Sequence, residues 1–170
     1  MTLRPATAAD AWGIASVHVY TWQAAYRGIV PGPYLESLSV ENRETDWREM
    51  VTRGAPEIWV AEAEGTVIGF VSFGPSRDPG SLPNTGELEA IYVLPAYWGT
   101  GVGAALWRAA ERRLTERHFT SVTLWVLKDN VRAIRFYSAA GFLAQPSSEK
   151  EIIRGGKALR EIRYVRELTA

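Results

Sequence analysis

The chain has 170 residues, of which 46% are hydrophobic, so it is long enough to bury a core, and we expect one domain over residues 1–170. Its formal net charge is zero, which argues against the broad basic field that binding to nucleic acid or to an anionic membrane requires. It has no cysteine and two histidines, which excludes disulfides, thiolate metal ligands and a cysteine nucleophile, and we expect no metal site.

The sequence pattern contains no targeting signal. No basic segment followed by an apolar run opens the chain. No apolar stretch approaches the roughly 18 residues that a membrane span needs. We therefore expect a cytoplasmic protein with no membrane partner.

The first third of the chain predicts one short strand followed by helices. Thr7 and Asp10 form a capping box, which predicts a helix that reaches Tyr20 or beyond. Ser39 is a favourable N-cap, and Gly54 marks the end of a helix. The predicted elements are a strand over Leu3–Ala6, the helix that follows Thr7, a helical turn around Tyr34–Leu38, and a helix from Ser39 through Met50.

The remaining chain predicts strands in pairs and then alternating strands and helices. Two β-rich runs flank Glu64-Gly65, which is typical of a hairpin, and the proline- and glycine-rich segment Arg77–Gly86 is a loop. The predicted elements are strands over Glu57–Ala63, Thr66–Gly74, Glu87–Leu94 and Ser121–Leu127, helices over 105–118 and Val131–Ala140, and a last hairpin of Lys150–Arg154 with Ala158–Leu168. This order favours a mixed α/β sheet with helices on both faces.

A glycine-rich stretch, Trp98-Gly99-Thr100-Gly101-Val102-Gly103-Ala104, separates a predicted strand from a predicted helix. Alternating glycines let backbone N–H groups approach an anion, and the start of a helix adds positive potential, so the stretch predicts a phosphate-binding loop. A Rossmann fingerprint would need glycine in place of Ala104, and a Walker loop would end in Gly-Lys-Ser or Gly-Lys-Thr. The structural alternative is a glycine-rich turn that caps an ordinary helix.

A second motif runs from Asn130 through Ala133, Phe136 and Tyr137 to Gly141-Phe142. Together the two motifs, G-x-G-x-G-A and N-x-x-A-x-x-F-Y-x-x-x-G-F, closely resemble the acetyl-coenzyme A motifs of the GCN5-related N-acetyltransferases. The resemblance covers Gly86–Phe142 directly. It departs at Trp98, where the family usually has glutamine or arginine, so contacts to the pyrophosphate there are expected from the backbone.

The resemblance implies a three-layer mixed α/β fold whose central, mostly antiparallel sheet has two splayed strands, here Glu87–Leu94 and Ser121–Leu127. Acetyl-coenzyme A would lie between them and supply the acyl group. Cofactor-binding residues implied in this way are the main chain of Ile91, Tyr92 and Val93, the stretch Trp98, Gly99, Thr100, Gly101, Val102, Gly103 and Ala104, and Asn130, Ala133, Phe136 and Tyr137. Asn130 also has a local explanation, since Asp129 or Asn130 would serve as a helix N-cap.

Two carboxylates and one phenol are candidate catalytic groups. An ammonium acceptor must lose a proton before it attacks a thioester, and Glu87 and Glu89 lie before the glycine-rich stretch, on one strand face with Ile91 and Val93 by strand alternation. Glu87 resembles the family's catalytic glutamate in position, and we favour it over Glu89. The alternatives are a solvated strand end and a base that acts through ordered water.

Tyr137 is the candidate proton donor to the leaving thiolate. On the predicted helix it shares a face with Ala133 and Phe136, and by resemblance this face lines the cofactor cleft. A phenol is neutral at working pH and can donate its proton. The alternative is a core tyrosine that packs against Phe136.

The acceptor site is predicted from an aromatic stripe formed by His18, Trp22 and Tyr26, which recur every four residues. Such a stripe could bind an amine by cation–π contact, or it could be ordinary core. We expect acetylation of a small-molecule primary amine by direct attack in a ternary complex. The alternatives are acetylation of a protein N-terminus or lysine, and a non-catalytic acyl-coenzyme A-binding module. Edge strands of the last hairpin would permit a homodimer.

Overall fold

A seven-stranded sheet with the strand order β1-β2-β3-β4-β5-β7-β6 organises the computed structural model, which describes residues 1–169. Only β4 and β5 pair in parallel, and the other neighbours are antiparallel. The strands are β1 Thr2–Pro5, β2 Glu57–Ala63, β3 Thr66–Pro75, β4 Thr85–Val93, β5 Ser121–Leu127, β6 Leu143–Arg154 and β7 Lys157–Glu167. The helices are α1 Ala11–Ala25, α2 Gly32–Glu36, α3 Val40–Arg53, α4 Val102–Glu116 and α5 Val131–Ala139. The mixed, mostly antiparallel sheet predicted from the sequence is confirmed.

Helices cover both faces of the sheet, which gives three layers. On one face, α1 and α3 pack on the sheet through Ile14, Trp47 and Phe70. On the other, α4 packs through Leu106 and Leu114 against buried side chains of β3, β4 and β5. Among residues 1–169, no helix is both long enough and apolar enough to cross a bilayer.

Local signals account for most element boundaries. The capping box forms, with the backbone N–H of Thr7 donating to Asp10 Oδ2 over 2.7 Å, although a short 3₁₀ turn precedes α1. Ser39 caps α3 by accepting from the N–H of Asn42, and Gly54 ends α3 at φ 70°. The prediction that the last hairpin begins at Lys150 is wrong, because β6 begins at Leu143 and pairs with β7 on both sides of an irregularity.

The two central strands diverge, as the resemblance implied. Pairing between β4 and β5 is confined to Thr85–Glu87 of β4, opposite Ser121–Thr123 of β5, although β4 continues to Val93 and β5 to Leu127. Beyond this short ladder the facing edges have no strand partner, and they form the sides of a cleft.

A bulge in β4 overturns the predicted strand faces. Ser72 of β3 pairs with Ala90 and Phe73 pairs with Leu88, which leaves Glu89 as an extra residue. The alternation of side chains therefore changes at Glu89, and Ile91 lies on the face opposite Glu87, as does Val93. The prediction that Glu87 and Glu89 share a face with Ile91 and Val93 is wrong, because strict period-two counting does not hold across a bulge.

Candidate active site

A cavity of about 720 Å³ opens where β4 and β5 diverge. The glycine-rich stretch before α4 and the exposed face of α5 form one end, which we call the cradle end. The C-terminal end of α1, the loop after β3 and strand β6 form the other, which we call the acceptor end. No group of three or more metal-ligating side chains is present within residues 1–169.

The cradle end is made mainly of main chain. Gly99 and Gly101 adopt φ angles of 75° and 90°, which other residues rarely adopt, and this conformation turns the chain into α4. The first helical N–H group to find a backbone acceptor is that of Ala105, which donates to Gly101 O over 3.0 Å. The preceding N–H groups at the start of α4 are free to bind an anion, as is usual at a helix N-terminus.

Not every residue of the predicted stretch faces the cavity. Trp98, Gly99, Gly101, Gly103 and Ala104 line it. The Thr100 hydroxyl donates to Tyr97 O over 2.6 Å, and Val102 is 4% exposed and packs in the core. These two residues can contribute backbone groups only.

A cation reaches the cradle end from α5. The Arg132 guanidinium carbon lies 3.2 Å from the centroid of the Trp98 ring, and Trp98 Nε1 donates to Val93 O over 2.7 Å. Burial lowers the pKa of Arg132, yet a guanidinium stays charged at neutral pH. No cation stands beside Gly99 in the sequence, where Trp98 precedes it. Arg132, which belongs to the second motif, places a positive charge over Trp98. Arg132 was not among the residues predicted from the sequence, although it lies two residues after Asn130.

The start of α5 packs closely against α4. Asn130 Oδ1 accepts from the N–H of Ala133 over 3.2 Å, which confirms the N-cap interpretation of Asn130. Ala133 and Phe136 line the cavity. A Cβ atom on Gly103 would come within 3.3 Å of the Phe136 ring, so glycine at this position allows the close approach of the two helices.

Tyr137 lies on the face of α5 that lines the cavity. Its ring packs edge-on against Phe136 and Phe142, with centroids 5.4 Å and 5.9 Å away. Burial raises the pKa of Tyr137, so the phenol is neutral and remains a proton donor at physiological pH. The pKa values of Tyr26 and Tyr92 are also raised, mainly by burial, and these two phenols also line the cavity.

Glu87 is engaged by Arg77. Its side chain is 4% exposed, and it accepts hydrogen bonds from the backbone N–H of Arg77 over 2.8 Å, from Nη2 over 2.6 Å and from Nε over 3.2 Å. A carboxylate held by three donors fixes the loop that follows β3. The interpretation of Glu87 as a solvated strand end does not fit this burial.

Glu89 is the less constrained carboxylate. Its side chain is 15% exposed and lies 3.4 Å from Arg77 Nη1, a longer contact than those of Glu87. Burial raises the pKa of Glu89; the charge on Arg77 opposes this shift and that on Glu87 adds to it. A carboxyl group with a raised pKa can accept and release a proton closer to neutral pH than an exposed glutamate can.

The aromatic stripe predicted for the acceptor site is divided. Trp22 and Tyr26 line the cavity, with ring centroids 4.7 Å apart. His18 packs behind them, where Nδ1 accepts from Trp47 Nε1 over 3.0 Å and the ring stacks on Tyr92. Burial lowers the pKa of His18 to about 4, so it is neutral at physiological pH. His18 supports the wall of the cavity and is not among the residues that line it.

The hairpin of β6 and β7 closes the acceptor end against the segment between α1 and α2. At its tip, the Gly155 backbone lies so close to the Tyr34 side chain that a Cβ atom there would meet Tyr34 Cβ at 2.6 Å. Lys157 Nζ donates to Ile29 O over 3.0 Å. Leu159 of β7 is buried with Val30 and Leu35 beneath the tip. The hairpin therefore forms one packed wall of the acceptor end.

Comparison with known proteins places this geometry in a family. The model of the acetyltransferase (GNAT) family matches residues 17–142. The uncharacterized N-acetyltransferase YuaI of Bacillus subtilis is 35% identical over 163 residues, which cover 95% of this chain and 90% of YuaI.

Solved structures show the same fold. The PaiA N-acetyltransferase from Thermoplasma acidophilum, in complex with coenzyme A, aligns with a TM-score of 0.74 and 22% identity over 95% of this chain and 98% of that one. YncA from Salmonella typhimurium, with acetyl-coenzyme A, aligns with a TM-score of 0.76 and 22% identity over 100% of this chain and 95% of that one. The chain belongs to the GNAT family of acetyltransferases.

Proposed function

We propose that the protein transfers the acetyl group of acetyl-coenzyme A to a small-molecule primary amine, by direct attack in a ternary complex. The observation that carries this proposal is the continuity of the cavity from the free N–H groups before α4 to the acceptor end. One ligand can thus enter from each end and meet the other between the diverging strands.

The residues at the cradle end fit the chemistry of acetyl-coenzyme A. The N–H groups at the start of α4 and the charge on Arg132 suit a pyrophosphate, and the unpaired edge of β4 around Ile91 suits the amides of a pantetheine arm. When bound, acetyl-coenzyme A supplies a thioester as the acyl donor. Asn130, Ala133 and Phe136 would line the path of this arm.

Glu89 is the proposed general base. An unperturbed lysine-type amine has a pKa of about 10.4, so most of it is protonated at neutral pH and cannot attack. Glu89 accepts a proton from the ammonium group, either directly or through one water molecule. We place Glu87 in a supporting role, since its oxygens are occupied by Arg77.

Tyr137 is the proposed general acid. The amine nitrogen forms a bond to the acetyl carbon and then loses its second proton to solvent, and the electrons of the breaking carbon–sulfur bond remain on sulfur. Tyr137 gives its proton to this sulfur and regains one from solvent. The chain has no cysteine to carry an acyl group, and direct transfer needs none.

The packing of the hairpin on the segment after α1 favours a small acceptor over a protein. A protein N-terminus or lysine would need an open groove for the polypeptide on either side of the amine. Contacts of Gly155 with Tyr34 and of Lys157 with Ile29 hold the hairpin against the segment after α1, on one side of the acceptor end. A small amine can enter and leave without separating the hairpin from the segment after α1.

The test is thiol release from acetyl-coenzyme A with a panel of small primary amines and a panel of peptides with free N-termini or lysines. We expect release with small amines, and we expect Glu89→Gln to abolish most of it. Faster release with peptides would contradict the small-molecule acceptor. Tight binding of acetyl-coenzyme A without release for any amine would instead indicate a binding module.

A further inference from the structure

Four cations line the cavity, and they differ in whether a carboxylate neutralises them. Arg77 is paired with Glu87 and Glu89, and Lys150 lies 3.4 Å from Glu161 Oε1. Arg132 and Arg154 have no Asp or Glu oxygen within 4.0 Å in the part of the chain that the structure describes. An unneutralised cation that faces a cavity favours an anionic ligand there.

Arg132 and Arg154 lie on different elements that line the cavity, Arg132 in α5 and Arg154 at the end of β6. Arg132 lies over Trp98 at the cradle end, where the phosphates of coenzyme A account for its charge under the proposed function. Arg154 is the last residue of β6, next to the hairpin tip that packs on Tyr34. Its one hydrogen bond to residues 1–169 is from Nη1 to the carbonyl of Ile153, which leaves the rest of its guanidinium available. Under the proposed function the phosphates are assigned to Arg132 and the start of α4, so Arg154 has no assigned partner.

A second unmatched donor lies in the same part of the cavity. Trp22 Nε1 is buried beside the Tyr92 phenol and makes no well-aligned hydrogen bond within residues 1–169, although Trp22 lines the cavity. Trp22 and Arg154 both line the cavity together with the Tyr92 phenol. A buried donor without an acceptor costs free energy, which a ligand oxygen would recover.

We propose that the acceptor carries a carboxylate as well as its primary amine, and that Arg154 and Trp22 Nε1 bind this carboxylate. The inference rests on the proposed function and specifies its substrate class as amino acids and similar zwitterions. A guanidinium can donate two parallel hydrogen bonds to one carboxylate, and the indole N–H would donate a further one. A polyamine would instead bring a second positive charge toward Arg154.

Matched acceptor pairs test the inference. The kcat/KM for thiol release is measured with L-phenylalanine against phenethylamine, with L-methionine against 3-(methylthio)propylamine, and with spermidine. We expect the amino acid of each pair to be preferred by at least about tenfold. We expect Arg154→Met to bring this ratio close to one, mainly through a higher KM for the amino acid. Trp22→Phe, which keeps an aromatic ring but removes the N–H, should lower the ratio by less.

Arg160→Met is the matched control, because Arg160 belongs to the same hairpin, pairs with Glu149 and does not line the cavity. It should leave the ratio as in the parent. Equal rates within each pair, faster release with spermidine, or a preference that survives Arg154→Met would overturn the inference and leave the proposed function standing. Release with peptides alone would overturn both.

Discussion

The cradle end and the acceptor end of the cavity are built from different parts of the polypeptide. At the cradle end, consecutive residues from Trp98 to Ala104 present main-chain groups, and one side chain, Arg132, adds charge. At the acceptor end, separate elements contribute single side chains, such as Trp22 from α1, Glu89 from β4 and Arg154 from β6.

This difference determines how each end responds to substitution. A main-chain site loses affinity when its backbone conformation changes or its space is filled, and it depends little on the identity of neighbouring side chains. A side-chain site loses its chemistry when one functional group is removed, even if the fold is intact. We therefore expect large changes in turnover when Glu89 or Tyr137 is replaced, and smaller changes in coenzyme A affinity when residues of the glycine-rich stretch or Arg132 are replaced.

The largest expected effect is that of Glu89→Gln, which removes the proposed base. Turnover should fall roughly a thousandfold, within the range for loss of a general base, while the affinity for coenzyme A stays near that of the parent. The pKa of Glu89 is raised, and only the ionised form accepts a proton, so the parent loses activity as pH falls through this raised pKa. A pH–rate profile should show this acidic limb in the parent and not in Glu89→Gln.

Glu87→Gln is the matched control for this prediction. Because Glu87 is buried and holds Arg77, its loss should lower the thermal stability and reduce turnover by less than Glu89→Gln does. If Glu87→Gln lowered turnover more than Glu89→Gln does and also removed the acidic limb of the pH–rate profile, Glu87 would be the general base.

Tyr137→Phe should lower turnover about a hundredfold, because it removes the proposed proton donor and keeps the ring packed against Phe136 and Phe142. Coenzyme A affinity and thermal stability should change little. The loss should shrink with a thioester whose thiol is more acidic, since a better leaving group needs less help. An equal loss with every donor would indicate that Tyr137 positions the substrates and does not protonate the thiolate.

At the cradle end, Gly101→Val should weaken coenzyme A binding by at least about tenfold, which calorimetric titration measures. Gly101 has a φ of 90°, which valine rarely adopts, so the free N–H groups should lose their arrangement. Gly65→Val is the control, since Gly65 has a φ of 74° in the hairpin between β2 and β3, away from the cavity. Equal binding by Gly101→Val and Gly65→Val would contradict the main-chain site.

The smallest expected effect is that of Arg132→Gln. Loss of one charge near the phosphates should weaken coenzyme A binding about three- to tenfold and reduce the dependence of affinity on salt. Arg135→Gln provides the comparison, because Arg135 is on the same helix and does not line the cavity. If Arg132→Gln abolished binding, the cradle end would depend on a side chain more than on its main chain.

The two ends also differ in how well the sequence predicts them. The cradle end could be predicted because its signal is local: alternating glycines between a strand and a helix specify a turn and free N–H groups within one stretch. The N-cap at Asn130 was predicted from a local motif of the same kind, whereas the splayed strands were implied by the resemblance to the family. Arg132 was missed because its contact with Trp98 joins two distant segments.

The acceptor end could be predicted only in part. Trp22 and Tyr26 line it as expected, but His18 packs behind them, because a helical stripe does not reveal which of its members a third element covers. The bulge at Glu89 depends on pairing with β3, which strand alternation cannot show. The pairing of Glu87 with Arg77 depends on the path of the loop between β3 and β4.

Amide resonances give the most direct test of a main-chain site for coenzyme A. In a titration of ¹⁵N-labelled protein with coenzyme A, the backbone N–H groups of Gly101, Val102, Gly103 and Ala104 should show the largest shifts and exchange more slowly with solvent. The same titration of Gly101→Val should show these changes strongly reduced. Binding that leaves the four amides of the parent unshifted would contradict a phosphate site at the start of α4.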